Sequence, residues 1–385
     1  MFQRHSLRVS RLWLLAWAGV AAFYFLTLAA QTSGGDDSVY LILAKALATG
    51  QGFSRLDIAG NPPEPQYPPG WPLLLSGVAF LFPDVVNHLI AFQAVTALCS
   101  ILAFPVACWL LRRNSSVPDG VLIFLVSLAF LNPYMLFVSC QQTLSEPSYI
   151  LFSFLSILLL EHAVDQARPW GWMALALLTG IASYYIRVVG LTVLFSTVVY
   201  LCWKRRWLAA MLYGAGAALL LSPWAYRNLT LGLSPLGGAY GDIFTWKDYT
   251  ALDANPIRSI EDIVGRIVNN AQVHILRSNP GLFLPALRGP NIAGFLQGAG
   301  LTWIGPAFGL FLAAAILIGF LNQVRKGIKL TEIYVVVYLG FILLAPWAVW
   351  RNVLPILPAL LVYMYTGLAL VFGAVGRWWP RGRAV

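Results

Sequence analysis

Charge is scarce in this chain. Asp, Glu, Lys and Arg make up 10% of its 385 residues, against about 25% in soluble domains. Hydrophobic residues make up 59%, and mean hydropathy is +0.73. Such a composition excludes an ordinary water-soluble domain and points to lipid as the solvent. Cysteine is scarce too: Cys99, Cys108, Cys140 and Cys202 lie in or beside apolar runs without CxxC spacing, so neither a disulfide framework nor a zinc site is indicated. His5, His88, His162 and His274 are dispersed and support no histidine metal site. A P-loop, a GxSxG elbow and an HExxH helix are all missing. The one GxG-like pattern, Gly214 to Gly216, falls inside an apolar run, where close helix packing explains it. No internal repeat, inverted repeat or low-complexity tract is evident.

What the chain does have is apolar runs near the roughly 20 residues that a helix needs to cross a bilayer. Crossings are expected near 11–30, 86–110, 120–138, 147–163, 171–186, 188–203, 207–225, 302–322, 333–349 and 353–375. The expected fold class is therefore all-α and polytopic, one membrane domain of about ten transmembrane helices. The first run follows Arg4, Arg8 and Arg11 and reads as an uncleaved anchor rather than a secretion signal. Residues 69–82 are short and proline-flanked, so an interfacial or re-entrant helix is expected there.

The net charge of +10 does not form a stripe, so nucleic acid is not an expected partner. Basic residues instead cluster at the ends of apolar runs, and cytoplasmic loops carry the excess of Lys and Arg. Placing the N-terminus inside assigns Arg4, Arg8, Arg11, Arg112, Arg113, Arg168, Lys204 to Arg206, Arg325, Lys326, Lys329, Arg377, Arg381 and Arg383 to the cytoplasm. Residues 31–85 and 227–300 then become two large outer loops holding most of the acids, the second including Trp246, Tyr249 and His274.

The candidate chemistry lies on that outer face. Gly34 and Gly35 precede Asp36 and Asp37, which open an amphipathic helix. Asp at a helix start caps free N–H groups, but capping needs one carboxylate, and the other could take a proton from an acceptor hydroxyl. In QYPPGWP, Pro68 and Pro69 stiffen the approach and hold Tyr67 near the interface, either as an ordinary interfacial aromatic or as a hydrogen-bond donor to a headgroup. Glu146 precedes Pro147 and is either a helix-start residue or a second outer acid. Arg187, Arg227 and Arg351 break the charge rule at the outer ends of spans. They either snorkel to the headgroups or fork onto the oxygens of an anionic headgroup.

The order of these motifs resembles the GT-C superfamily of membrane glycosyltransferases, in its branch of protein O-mannosyltransferases and the lipid A aminoarabinose transferase. The pieces are the acidic pair with the Tyr40–Leu47 helix after it, YPPGWP, TLSEP, the Arg187 segment, PWAYRN and RNVLPILP, spread over most of the chain. The resemblance implies a sugar donor on a polyprenyl phosphate, and a lipid, glycan or protein acceptor approached from the non-cytoplasmic side of a bacterial inner membrane. It also implies inversion, with Asp36 or Asp37 as base and with Arg351, Arg187, Arg227 and Tyr67 as candidates at the donor phosphate. Related oligosaccharyltransferases hold a divalent cation with outer-loop acids, to which Glu146 is comparable; this chain has no DxD triplet, and metal dependence stays open. It also departs in showing no C-terminal outer domain, and in having Tyr67 where some relatives carry a basic residue. The competing reading is a multi-span transporter or flippase of a lipid-linked or anionic substrate. It would call for ionisable groups at mid-span, whereas here they gather at one face.

Overall fold

The computed structural model describes residues 11–32, 34–247, 256–284 and 297–378. Arg4, His5, Arg8, Tyr249, Arg381, Arg383 and parts of the 227–300 loop lie outside the described residues. Among the described residues all regular structure is helical, apart from isolated bridges such as Ser54–Pro63. That suits a lipid solvent, in which each backbone N–H and C=O must be satisfied within its own segment.

The helices are α1 (Arg11–Leu26), α2 (Asp36–Ala48), α3 (Gly70–Leu81), α4 (Leu89–Asn114), α5 (Asp119–Phe130), α6 (Pro133–Leu136), α7 (Glu146–Val164), α8 (Trp170–Ile186), α9 (Leu191–Trp203) and α10 (Trp207–Thr230). After these come α11 (Ala239–Ile243), α12 (Ile260–Gln272), α13 (Asn279–Phe283), α14 (Ile304–Lys326), α15 (Leu330–Leu344) and α16 (Leu357–Trp378). Among the described residues α4, α7, α10, α14 and the segment Trp350–Gly373 are long and apolar enough to cross a bilayer. The shorter apolar helices α1, α3, α8 and α15 have 16, 12, 17 and 15 residues.

Several expected crossings are not single straight helices. The run expected over 120–138 breaks at Asn132–Pro133, and its two halves, Asp119–Phe130 and Pro133–Gln141, are bent by 53°. Proline disfavours helical backbone in the residue before it, and the Asn132 side chain accepts the Tyr134 N–H at 3.0 Å, starting a new turn. The run expected over 333–349 stops at Leu344, because Ala345 precedes Pro346 and is extended. The chain then enters a 3-10 turn over Trp350–Ile356, which carries Arg351. Its freed carbonyls are met from another element: Asn270 Nδ2 donates to Leu343 O at 2.9 Å and Ala345 O at 2.7 Å, and Arg266 Nη1 donates to Leu344 O at 3.1 Å. Arg227, expected at the start of a loop, sits in the last turn of α10.

Small residues set the closest helix approach. On α14 and α16, a Cβ at Gly319 would meet the Tyr363 carbonyl and one at Gly367 would meet that of Ala315. The two backbones therefore touch through glycine, as bilayer packing favours when no hydrophobic drive exists between helices.

The polar groups sit at two ends of the same bundle. Glu146 begins α7 and Glu161 lies 15 residues further along it, about 22 Å at 1.5 Å per residue. At the Glu161 end, Asn114 Nδ2 donates to Glu161 Oε1 at 3.1 Å and Thr331 Oγ1 at 2.6 Å, and Lys329 Nζ donates to the Arg113 carbonyl at 2.8 Å. Arg206 bonds the Val164 carbonyl and Lys326 the Ser116 hydroxyl at that same end. Arg113, Arg206, Lys326 and Lys329, four of the basic residues that the charge rule groups together, thus lie at one end of the bundle, away from Asp36.

Candidate active site

Gly34, at φ +71°, makes the turn that admits α2, and the first turn of α2 divides its two acids. Asp37 is 0% exposed, and its Oδ1 accepts the Gly35 N–H at 3.2 Å. Asp36 keeps 22% of its side chain exposed. Tyr67 donates its hydroxyl to Asp36 Oδ1 at 2.7 Å, and Arg351 Nη2 donates to Asp36 Oδ2. The second acid belongs to the same cluster: Arg187 Nη1 lies 2.8 Å from Glu146 Oε1, and Arg351 Nε lies 3.5 Å from that same oxygen. These contacts are ion pairs rather than aligned hydrogen bonds, and Oε2 of the buried Glu146 accepts none. Arg187 also donates to Ser145 Oγ at 3.0 Å, itself 3.2 Å from the Tyr40 hydroxyl. Asp36, Glu146, Arg187 and Arg351 thus balance in charge, with Arg351 between the two carboxylates.

Each side chain is delivered by a structural break. The proline pair leads Tyr67 into α3, whose first residue, Gly70, lies against the backbone at the end of α8; a Cβ there would stand 2.6 Å from the Tyr185 carbonyl carbon. Arg187 is the extended residue that ends α8. Gly70→Ala is therefore expected to destabilise the protein by about 1–3 kcal/mol through overpacking, seen as a lower midpoint in detergent melts.

Arg227 is committed elsewhere. It donates to the Glu64 carbonyl at 2.7 Å and lies over the rings of Trp224 and Phe53, 4.6 and 5.5 Å from their centroids. Glu64, fully buried, accepts the N–H groups of Gln66 at 2.7 Å and Tyr67 at 3.2 Å and pairs with Arg55 at 3.4 Å. Arg227 therefore braces the loop that presents Tyr67. The sequence reading passed over Glu64, Ser145 and Tyr240, although a lone acid among prolines in PPEPQYPP was a signal for the first. The Tyr67 ring packs edge-on against Tyr40 and Tyr240, with centroids 5.0 and 5.7 Å away.

Burial pushes the Asp36 pKa up, but the Arg351 charge and the Tyr67 hydrogen bond outweigh it and hold the carboxyl below its usual range. Burial raises the Tyr67 phenol well above its ordinary value, with the nearby Tyr240 and Asp36 adding to it, so Tyr67 stays a neutral donor. A divalent cation does not fit this arrangement: its two candidate carboxylates are bridged by a guanidinium, and no three His, Cys, Asp or Glu side chains converge among the described residues.

No family model and no curated protein matches the sequence. Solved structures do match the fold. ArnT from Cupriavidus metallidurans bound to undecaprenyl phosphate superposes with TM-score 0.55 at 18% identity, over 95% of this chain and 62% of its own. The archaeal oligosaccharyltransferase AglB from Archaeoglobus fulgidus, in complex with an inhibitory peptide and a dolichol-phosphate, gives 0.52 at 13%, over 95% of this chain and 51% of its own. An Archaeoglobus fulgidus oligosaccharyltransferase complex with Zn and sulfate gives 0.54 at 12%, over 94% and 50%. The chain thus spans half to under two thirds of these proteins' lengths, and at such identities the likeness concerns the fold. The chain therefore shares its helical fold with ArnT and with these oligosaccharyltransferases.

Proposed function

We propose that the chain is an integral-membrane glycosyltransferase that moves a sugar from a polyprenyl-phosphate carrier to an acceptor hydroxyl, with inversion, on the non-cytoplasmic face of a bacterial inner membrane. In this reading both termini are cytoplasmic and ten segments cross the bilayer. The observation that carries it is Asp36, a partly exposed carboxylate held by Tyr67 and Arg351 beside the Arg187–Glu146 pair, on a fold shared with a protein crystallised with undecaprenyl phosphate.

Arg351 links the two ends of the chemistry. While it pairs with Asp36, the carboxylate is too acidic to be a good base. The donor phosphodiester presents two oxygens that match the guanidinium fork, and its charge grows from one to two as the sugar leaves, so it draws Arg351, and Arg187 behind it, onto the phosphate oxygens. Asp36 then regains basicity and takes the acceptor proton as that oxygen attacks the anomeric carbon. The bond from the sugar to the phosphate oxygen breaks, and polyprenyl phosphate leaves with its charge met by the arginines. Asp37, sealed in the first turn, serves the local fold. Arg227, one of the candidates for the phosphate by its motif, is assigned a supporting part in this reading, through the Glu64 carbonyl and the loop that presents Tyr67.

Mass spectrometry of glycolipids and surface glycans from a deletion strain and its complemented parent tests the reading. One sugar should vanish from one acceptor and return on complementation; identical glycans in both strains reject it. Tyr67→Phe refines the test. Loss of the hydrogen bond that lowers the Asp36 pKa should move the acidic limb of kcat/KM to higher pH, because the active form is the deprotonated one. An unmoved limb excludes Asp36 as the titrating base.

A further inference from the structure

Arg266 projects from α12 and is 9% exposed, yet no carboxylate pairs with it among the described residues. Its Nη1 is spent on the carbonyls of Phe244, at 2.9 Å, and Leu344. Nε and Nη2 have no hydrogen-bond partner. Those two nitrogens form one edge of the guanidinium, the edge whose parallel N–H groups fork onto two oxygens of a carboxylate or phosphate. Burial lowers the Arg266 pKa and no neighbouring charge restores it, although arginine stays protonated regardless. A buried cation without a counter-ion is costly, and an arriving oxyanion removes that cost.

The side chain lines a cavity of about 470 Å³ between α12 and Pro346–Ala348. Two carboxylates and a lysine also line it: Asp262 is held by Lys247 at 2.8 Å and by the N–H groups of Arg258 and Ser259, and Glu261 is exposed to solvent. Trp347, on the opposite wall, packs against Tyr240 with centroids 5.4 Å apart, and Tyr240 packs against the Tyr67 that holds Asp36. Three aromatic side chains, Trp347, Tyr240 and Tyr67, therefore run from the cavity wall to the proposed base. We propose that it is a second anion subsite: the Arg266 side chain, whose Nε and Nη2 are closed to solvent in this structure, turns to grip a phosphate or carboxylate group of the acceptor while the acceptor's hydroxyl reaches Asp36. The acceptor part of this assignment rests on the transferase reading; the anion site does not.

The test uses the full chain in nanodiscs, with a polyprenyl phosphate added to saturate the Arg351 site and inorganic phosphate titrated by calorimetry. Wild type should still bind phosphate. Arg266→Gln should weaken that binding at least tenfold, and Arg266→Lys should not restore it, since an ammonium has no fork. Asn269→Asp, at an exposed position on the cavity wall, should weaken it similarly without disturbing the buried contacts of Arg266. It decides the matter if the Arg266 variants fail to fold. Phosphate affinity unchanged in Arg266→Gln, or in Asn269→Asp, overturns the site. Phosphatidic acid in the nanodiscs separates the sources: competition with inorganic phosphate marks a lipid-borne group, and its absence a water-soluble one. Sugar transfer with Arg266-independent phosphate binding rejects this subsite alone. Arg266-dependent binding in a chain that transfers no sugar rejects the transferase reading and, with it, the acceptor role.

Discussion

Asp36→Asn is expected to lower sugar transfer by about 10²–10⁴-fold, the range that a positioned general base contributes, while membrane insertion and the melting midpoint change little. An amide keeps the size of the side chain, with its oxygen accepting from Arg351 and its NH2 donating to the Tyr67 hydroxyl, so the geometry of the α2 turn survives and the proton acceptor is lost. Asp37→Asn should behave differently. Its carboxylate is buried and accepts from Gly35, so the change should act on stability more than on turnover. Turnover and melts measured on both variants separate the two acids. Full activity in Asp36→Asn would remove the proposed base.

Arg351→Ala is expected to lower kcat by about 10²–10³, the loss seen when one preorganised donor is taken from developing charge, and to raise KM for the donor lipid. Part of that loss should reappear as a pH effect. Arg351 is the chief influence holding the Asp36 carboxyl down, so its removal should shift the acidic limb of kcat/KM upward, in the same direction as Tyr67→Phe. Arg351→Lys keeps the charge but cannot span Asp36 and Glu146 as Arg351 Nη2 and Nε do; it should recover the pH limb better than the donor KM. A variant with unchanged donor dependence would remove Arg351 from the phosphate site.

Where the sequence was informative, it was so through local rules. Two acids after two glycines mark a helix start, and α2 begins at Asp36. Long apolar runs mark helices, and α4, α7, α10 and α14 follow. Breaks were harder to see because hydropathy is blind to them: Asn132–Pro133 and Ala345–Pro346 interrupt runs that are apolar on both sides. The second of these breaks frees the segment that carries Arg351, so the most consequential irregularity in the fold was the least visible in composition. Candidate site residues could be named singly, but not grouped. Arg187, Arg227 and Arg351 look alike from local context. Only the tertiary fold shows Arg351 and Arg187 sharing Glu146 while Arg227 turns to the Glu64 carbonyl and the Trp224 ring. Arg266 was invisible for the same reason: an arginine on an amphipathic helix reads as solvated until its burial is known.

The central claim is that Asp36 drives transfer of a sugar off a lipid phosphate. Its most direct test is full-length protein in proteoliposomes containing a polyprenyl-phosphate sugar from the source membranes, with released polyprenyl phosphate and new glycoside measured together. Equal amounts of both from wild type, and neither above background from Asp36→Asn, is the predicted result. Movement of the lipid-linked sugar across the bilayer without a covalent product, or equal product from the two proteins, would contradict it.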